Sequence, residues 1–555
     1  GWRSSVNRSQ LQVYAARPRT FVVEEGASSF SGLSSLVTGT PHARVSGRGR
    51  VRLDFGAERA AWFEIDSADL GEQVKWLRLS VSEYSYPWQG KTMQPVRYSK
   101  HASEGRSGMA TYRLEPNKEL YEGVRYAWLL FEPPRGATVA PWTISGLRIV
   151  CKVKPVNYTA SYASSDTLIE RVWYQGAYAV RLNMEASEFN SILMERGDRV
   201  AIQGDGHPTM AAALTAFGRE AMPLVKRMLN ATDSGCQGCH VVDDSIMAYP
   251  VYWTMSVNDY FWASGDAATF RKFVPDVRTI LDKAATKFWP MRPNIVWMGW
   301  DDRLGNGWCG TCNEEAQLAF ATLLVRAHRD FGRCLKHVGM PQLATQYAAI
   351  AANLTSVLRS GGGGWSSSYG LHAAANAINA EVATAAEAQS LFARLFNDTT
   401  SLCSWSPFNQ YWILQAIGNV PGLLDYALAS VRLCWGTQLH MTTGCFLELW
   451  DPQWKDVLPF GSKTPTRPSY CHPWSSGVTH WLTGRHLGVT PLTPGFHDVL
   501  IAPHVSAANP SVSGTLETPQ GSRLHVNASR TADGLVRVEL ETASSTAVVA
   551  LPTKS

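Results

Sequence analysis

Five charged side chains crowd LMERGDRVAIQGDGHPT (193–209), a stretch that also carries apolar residues. The charged residues are Glu195, Arg196, Asp198, Arg199 and Asp205. Glycines and apolar side chains interrupt the charges, so the pattern does not fit a solvated helix face. Carboxylates in such surroundings suit proton transfer, because apolar neighbours or a second negative charge raise the pKa of an acid. The alternative is a helix cap and ion-pair cluster that joins two helices.

A second candidate carboxylate, Glu448, lies far along the chain in CFLELWDP (445–452). Its neighbours are apolar, so it is either a base held in a dry loop or a core acid in an ion pair. Inverting hydrolysis of a glycosidic bond needs one carboxylic acid to protonate the leaving oxygen and one carboxylate to activate water, about 6.5–9.5 Å apart. Two different loops can supply such a pair, and Asp198 fits the acid.

Aromatic and acidic residues beside glycines indicate a ligand rich in hydroxyl groups. Trp300 precedes Asp301 and Asp302 in WMGWDDRLGNG (297–307). The chain holds 21 tryptophans, and an exposed indole suits the apolar face of a sugar, although most tryptophans pack in cores. The tryptophan count alone therefore favours core packing over sugar binding, whereas the 300–302 loop suits hydrogen bonds to ligand hydroxyls.

The composition is that of a globular protein with several domains. A chain of 555 residues is too long for one ordinary core. Hydrophobic residues make up 45% and charged residues 17%, and the net charge of +5 is spread along the chain. Only RVSGRGRVR (44–52) is locally basic, so nucleic acid is not expected as a partner. No apolar run is long enough to span a membrane, and no metal or cofactor is expected.

Cysteines and glycosylation sequons indicate an oxidising compartment. The ten cysteines include two C-x-x-C pairs, Cys236/Cys239 and Cys309/Cys312, and there are six N-x-S/T sequons. GCQGCH also matches a haem-attachment pattern, WCGTC a redox dithiol, and the two pairs together a zinc site. Intramolecular disulfides in a secreted glycoprotein are the favoured interpretation. The polar start GWRSSVNRSQ is expected to follow a leader that has been removed.

Hydrophobic periodicity divides the chain into three parts. Alternating apolar residues predict an antiparallel β-sandwich over 1–155. Helical spacing begins near SSDTLIERVWYQGAYAV, where Ser165 or Asp166 can cap the first helix. About a dozen helical patterns without a fixed repeat favour an (α/α) barrel over a solenoid for 156–488. Strands return over 489–555 and predict a small C-terminal β-domain.

Fragments along about 155–525 are similar, in the right order, to one enzyme family. ASYASSDTLIERVWYQGAYAVRLNM is similar to the segment that leads into its barrel, and 192–205 aligns without a gap with D-x-x-x-R-[DE]-E-R-x-G-W-x-G-D. Five further similar fragments follow in the order of the family: YWTMSVNDYFWASGDAATFRKFVPDV, WMGWDDRLGNG, SPFNQYWILQAI, TTGCFLELW and SYCHPWSSGVTHWLTGRHLGVTPLTPGFHDVLIAP. The chain thus resembles glycoside hydrolase family 78, the α-L-rhamnosidases. This implies an N-terminal antiparallel β-sandwich, a central (α/α)6 barrel and a small C-terminal β-sandwich domain.

The resemblance assigns roles to individual residues. It implies that Asp198 is the general acid and Glu448 the general base of an inverting enzyme. That enzyme would release terminal α-L-rhamnosyl or related deoxy-sugar residues from glycans or glycosides. The residues that we expect to bind substrate are Arg199, Asp205, Trp300, Asp301, Asp302, His472, Trp450 and Trp474. We expect the three tryptophans to ring the cleft.

The chain departs from the family pattern in both loops. Ile192 stands where the family has Asp, Gly197 where it has an acid, and Ile202 where it has Trp. Near the base, Leu447 replaces a Trp. Glu195 can supply the missing charge from a shifted position, or can itself be the acid.

Three classes of function follow. The first, which we expect, is an inverting glycosidase. The second is a catalytically silent glycan-binding or extracellular structural protein derived from the family; the altered 192–202 stretch favours it and Glu448 opposes it. The third is another barrel enzyme, such as a polysaccharide lyase, for which His207 and His240 are available as bases.

Overall fold

Strands, then helices, then strands again follow one another along the chain in a computed structural model. It describes residues 11–40, 42–85, 98–102, 108–115, 121–185, 189–190, 202–232, 248–286, 298–305, 314–360, 364–440, 444–454, 468–542 and 546–550. This order confirms the predicted multidomain α and β fold. Within these ranges no helix has both the length and the apolar character needed to cross a lipid bilayer.

The N-terminal part is built around one long strand, β5, which pairs antiparallel with β2, β8, β9 and β11. The elements here are β1 (Gln12–Ala16), β2 (Thr20–Glu25), β3 (Phe30–Ser31), α1 (Ser34–Thr38), β4 (Ala43–Val45), β5 (Gly49–Ser67), β6 (Leu77–Ser82), β7 (Tyr98–Ala102), β8 (Ala110–Leu114), β9 (Glu122–Phe131), β10 (Trp142–Ile144) and β11 (Gly146–Val153). Strands β3, β4 and β10 form a second, three-stranded sheet. Residues from both sheets, including Leu53, Phe63 and Trp142, share one buried apolar core, as expected for a sandwich.

The helical part closes into a ring. Its elements are α2 (Thr167–Leu182), α3 (Gln203–Ala231), α4 (Ala248–Ser264), α5 (Ala267–Ala285), α6 (Glu314–His337), α7 (Pro341–Leu358), α8 (Leu371–Asn379), α9 (Ala385–Leu395), α10 (Pro407–Asn419), α11 (Leu424–Cys434) and α12 (Gly477–Trp481). Helix α3 packs on α4, α4 on α6, α6 on α8, α8 on α10, α10 on α12, and α12 on α3. The other five helices pack against members of this ring, which is the arrangement of an (α/α)6 barrel. Gly218 interrupts α3 with a φ of 46°, a conformation that favours glycine.

The C-terminal strands form two small sheets. They are β12 (Ser161–Ser164), β13 (Val489–Pro491), β14 (Asp498–Ile501), β15 (Ser511–Glu517), β16 (Arg523–Arg530), β17 (Val536–Thr542) and β18 (Thr546–Val549). Strand β12 lies before the barrel in sequence but pairs with β15. The start of the predicted barrel range, 156–488, thus contributes a strand to the C-terminal sheet.

Two disulfides, Cys403–Cys434 and Cys445–Cys471, link segments of the barrel domain. The prediction of intramolecular disulfides is confirmed for these pairs, whereas Cys151 and Cys334 are buried free thiols. Both C-x-x-C pairs lie outside the described residues. Cys445 and Cys471 also pack in one apolar cluster with Trp62 of β5 and with α2, so the N-terminal sheet contacts the barrel beside the Glu448 loop.

Candidate active site

Glu448 is fixed in a buried loop. Its side chain is almost completely buried, between Leu447 and Leu449, which are also buried. The Ser469 N–H donates to Oε2 of Glu448 over 2.8 Å, and the Glu448 N–H donates to the Ser469 carbonyl over 2.9 Å. A backbone N–H that donates to a carboxylate oxygen fixes the orientation of that carboxylate. A fixed orientation suits a general base.

Two hydrogen bonds link α4 to His472 through Asp205, and the histidine in turn lies beside Glu448. The Tyr249 hydroxyl donates to Oδ2 of Asp205 over 2.7 Å, and Nε2 of His472 lies 3.0 Å from Oδ1. Burial and the charge of Asp205 raise the pKa of Tyr249 well above its usual range, so the hydroxyl stays a donor. The other ring nitrogen of His472, Nδ1, lies 3.7 Å from Oε2 of Glu448. The imidazole thus stands between two carboxylates.

The three predicted tryptophans differ in exposure. Trp474 donates its indole N–H to the Glu448 carbonyl over 3.3 Å and stacks on Phe408. Trp450 donates to Thr437 over 2.8 Å. Both rings are buried, and only Trp300 is partly exposed. The cleft ringed by all three stays a prediction, and the geometry favours Trp300 for contact with a sugar.

Asp301 forms the centre of a second buried network. Its carboxylate accepts from Arg303 (2.6 and 2.7 Å) and from Ser404 Oγ (2.7 Å), and lies 3.2 Å from His372 Nε2. Burial opposes ionisation, but His372 and Arg303 hold the pKa of Asp301 well below its usual range. Both oxygens are engaged and the side chain is fully buried. Asp302 is exposed, so the predicted contact with ligand hydroxyls fits Asp302 better than Asp301.

Backbone contacts join these loops into one unit. The Trp450 N–H donates to the Trp405 carbonyl over 2.7 Å, next to the Ser404 that holds Asp301. The His472 N–H donates to the Phe446 carbonyl over 3.0 Å. Four segments therefore meet beside the first turn of α3, which carries Asp205. They are 298–305, 402–406, 444–454 and 468–476.

Three of the predicted site residues, Asp198, Glu195 and Arg199, lie outside the described residues, as do His240 and the Ile192 and Gly197 departures. Among the described residues, no group of three or more His, Cys, Asp or Glu side chains could hold a metal ion. His207 is buried and stacked on Trp412. Burial and Arg326 lower its pKa to about 3, which makes it a weak base for lyase chemistry.

Sequence reasoning did not assign roles to Tyr249, Ser469 or Arg303. Ser469 acts through its backbone N–H, which leaves no signature in the residue type. Tyr249 reaches Asp205 only because α4 packs on α3. Arg303 did carry a signal, since a cation directly after two aspartates is a natural ion-pair partner.

Neither a protein-family model nor a curated protein sequence matches the chain, but solved structures do. A GH78 family rhamnosidase of Bacillus sp. GL1 is 19% identical, covers 91% of this chain and has a TM-score of 0.71; 53% of its own chain is matched. An α-L-rhamnosidase from Aspergillus terreus is 16% identical over 98% of this chain and 62% of its own, with a TM-score of 0.72.

A third similar structure is a Streptomyces avermitilis α-L-rhamnosidase complexed with L-rhamnose. It is 13% identical over 92% of this chain and 50% of its own, with a TM-score of 0.68. This chain spans 50–62% of the length of these three structures. At such identities the likeness concerns the fold. The chain has the fold of the GH78 α-L-rhamnosidases.

Proposed function

We propose that this protein is an inverting glycoside hydrolase that removes terminal α-L-rhamnosyl or related deoxy-sugar residues, with Glu448 as general base and Asp198 as general acid. The observation that carries the proposal is the position of Glu448. It is buried, oriented by the Ser469 N–H, and lies 3.7 Å from a histidine that is hydrogen-bonded to Asp205. The rhamnosidase fold is the second support, and one similar structure carries L-rhamnose.

The chemistry follows from these contacts. An oriented carboxylate takes a proton from water as the water attacks the anomeric carbon. Asp205 and His472 are buried polar groups beside it, and Nδ1 of His472 has no hydrogen-bond partner among the described residues. Sugar hydroxyls are natural partners for such groups. Asp198, with Glu195 as the alternative, protonates the leaving oxygen, and Arg199 and Asp302 bind hydroxyls.

We further propose that the protein is a secreted glycoprotein. The two disulfides support an oxidising route. Sequon residues Asn157, Asn230, Asn353 and Asn397 are exposed, so glycans can be accommodated there.

One observation favours the second candidate, a silent glycan-binding protein. Leu447, which replaces a Trp of the family pattern, is buried against Tyr84, Trp450 and Tyr470. The Leu447 side chain therefore offers no surface to a ligand, and this departure from the family pattern favours the second candidate.

A screen on chromogenic glycosides, with α-L-rhamnoside first, tests the proposal. Wild-type protein should release the chromophore, and Glu448→Gln should not. Binding of L-rhamnose without turnover of any glycoside would instead support the second candidate function, a silent glycan-binding protein.

A further inference from the structure

The barrel carries a second group of polar side chains at the end opposite Glu448. Asp205 and Tyr249, which belong to the candidate active site, stand in the first turns of α3 and α4. Thr215 and Asp259 lie ten positions further along the same two helices, which corresponds to ~15 Å in an α-helix. Four connections join α4, α6, α8 and α10 to the helices that follow them at this end, and all four lie within the described residues: 265–266, 338–340, 380–384 and 420–423.

A layer of buried rings separates this distal end from the active site. His207, Tyr252 and Trp412 lie between the two levels on α3, α4 and α10, and all three are buried. The ring centroids of His207 and Tyr252 lie 5.1 and 5.3 Å from that of Trp412. The guanidinium carbon of Arg326 lies 5.2 Å from the same Trp412 centroid. A ligand bound at the distal end would therefore not occupy the site of Glu448.

Water reaches the distal side chains although the helices surround them. The Asp259 side chain is 49% exposed, and His480 and Arg485 are exposed as well. Burial among the helices is nevertheless the main cause that raises the pKa of Asp259 to about 7 and lowers the pKa of Arg485. Side chains that are wetted and yet partly desolvated line a concave surface. We call this surface, which is formed by Asp259, Arg326, His480 and Arg485, the distal recess.

Two arginines of the distal recess are held side by side on one face of α10. Nη1 of Arg326, which comes from α6, donates to Oε1 of Gln415 over 2.9 Å. Nη2 of Arg485, which follows α12, donates to Oδ1 of Asn419. The two acceptors are four positions apart, so they are neighbours on the helix surface, ~6 Å apart. The two guanidinium groups therefore lie close together, and after burial the charge of Arg326 is the second cause that lowers the pKa of Arg485.

Nearby carboxylates leave a positive charge at this pair. Asp330 lies 3.4 Å from Arg326, but it also pairs with Arg329 at 2.9 Å and with Arg333 at 3.5 Å. Within the described part of the chain, no carboxylate forms an ion pair with Arg485. A guanidinium group has five N–H donors, and these contacts use one donor of Arg485 and two of Arg326. Donors therefore remain for a ligand.

His480 stands beside both guanidinium groups. Its Nδ1 lies 2.9 Å from Oγ1 of Thr215, which itself donates to the Ala211 carbonyl over 2.8 Å, so α3 fixes the ring. Burial, Arg485 and Arg326 lower the pKa of His480 to about 4, which leaves the imidazole neutral near neutral pH. One ring that senses both arginines indicates that their charges face the same space.

We propose that the distal recess is a second ligand site, which binds a small dianionic oxyanion of the sulfate or phosphate class through Arg326 and Arg485. Guanidinium groups bind tetrahedral oxyanions through parallel N–H donors, and two guanidinium groups match two negative charges. This site would bind its ligand whether or not the protein turns over glycosides, because buried rings separate the two sites.

Asp259 opposes an anion in the distal recess when its carboxylate is ionised. His207 of α3 lies 3.7 Å away, but burial and Arg326 lower its pKa to about 3, so it does not neutralise the carboxylate. The other groups that face Asp259 are Arg326 and Asp330 of α6 and Tyr411 of α10. Removal of the Asp259 charge should therefore strengthen anion binding.

Equilibrium dialysis with radiolabelled sulfate tests this site. In chloride buffer of constant ionic strength, slightly above neutral pH, wild-type protein should bind one sulfate per chain in a saturable way. Arg485→Gln should weaken binding at least ~10-fold, because hydrogen bonds between charged groups are lost. Arg485→Lys, which keeps the charge but not the planar fork, should weaken binding less. Asp259→Asn should strengthen binding about threefold, because a nearby like charge is removed.

Arg537→Gln is the matched control. Arg537 is an exposed arginine of β17 that pairs with Glu539 at 2.7 Å, so its replacement changes the net charge equally but should leave sulfate binding unchanged. Unlabelled phosphate should displace the labelled sulfate, whereas acetate at the same ionic strength should not.

Three results would overturn the distal site. The first is the absence of saturable sulfate binding by wild-type protein, and the second is an equal loss of binding in Arg485→Gln and Arg537→Gln. The third is equal displacement by phosphate and acetate, which would contradict recognition of a dianion. If Arg485→Gln does not fold, Asp259→Asn decides, since unchanged or weaker binding in that variant would contradict a ligand beside its charge.

Discussion

His472 and Asp205 are 267 positions apart in sequence, yet Nε2 of the histidine lies 3.0 Å from Oδ1 of the aspartate. The aspartate stands in the first turn of α3 and the histidine directly before the 473–476 turn that leads into α12. Because α12 packs back on α3, this contact joins the first and last ring helices of the barrel. Glu448 lies 3.7 Å from the same imidazole. A change at Asp205 is therefore expected to move His472 and so to affect catalysis by Glu448.

Replacement of Tyr249 by Phe tests this coupling. It removes one hydroxyl that donates to Asp205 over 2.7 Å. A hydrogen bond to a charged group is typically worth about 1.5–3 kcal/mol, so kcat/KM for an α-L-rhamnoside should fall by roughly tenfold or more. Tyr347→Phe is the control, since it removes a hydroxyl that donates to Asp282 over 2.8 Å from α7. Equal kinetics of Tyr249→Phe and Tyr347→Phe would contradict the coupling.

The acid and the base should respond differently to the leaving group. Glu448→Gln and Asp198→Asn should each reduce turnover of a natural glycoside by at least ~100-fold, because positioned acid–base catalysis contributes roughly 10²–10⁴. With an activated aryl glycoside, Asp198→Asn should lose much less, while Glu448→Gln should lose about as much as before. Steady-state kinetics on both substrates measure this. An active Asp198→Asn protein beside an inactive Glu195→Gln protein would move the acid to Glu195.

Periodicity and composition predict the β–α–β order, because one buried face leaves a period of two in strands and 3.6 in helices. They do not predict that Ser161–Ser164 pairs with β15, since that partner lies some 350 positions away. In the site, Asp205, Glu448 and His472 could be named from the sequence by family resemblance, and the structure brings them together. Tyr249 could not be named from the sequence, because its contact with Asp205 depends on how α4 packs on α3.

Asp301 shows why a residue type alone is an insufficient guide. An aspartate after Trp300 suits a sugar hydroxyl, but Arg303 folds back onto it and His372 approaches from α8. The carboxylate is thereby buried and its role becomes that of holding the loop. Its neighbour Asp302, one position on, is left exposed.

Asp301→Asn should therefore lower stability in a pH-dependent way. Removal of one partner of a buried pair typically costs about 3–5 kcal/mol. A carboxyl with a depressed folded-state pKa contributes its stability above the unfolded value, near 3.9, and loses it as pH falls through the folded value. Urea unfolding at pH 7 should show the full loss, which should shrink at pH 3. Asp302→Asn should change the unfolding free energy little, and an equal effect of both substitutions would contradict the network.

The Cys445–Cys471 disulfide should matter for turnover beyond its effect on stability. It joins the segments that carry Glu448 and His472, whereas Cys403–Cys434 joins 402–406 to α11. The sequence separations are similar, 26 and 31 residues, so either double Cys→Ser variant should lose roughly 3–4 kcal/mol of stability. The Cys445/Cys471 variant should show the larger loss of kcat. If the two double variants had equal Tm and lost kcat equally, the result would contradict a particular role of Cys445–Cys471 in turnover.

The stereochemistry of the product tests the central proposal most directly. Two carboxylates on opposite sides of the bond, with water between one of them and the anomeric carbon, require inversion. Proton NMR of wild-type protein acting on an aryl α-L-rhamnoside, recorded before mutarotation, should show β-L-rhamnose as the first product. First appearance of α-L-rhamnose would contradict the inverting scheme and the role of Glu448 as the base.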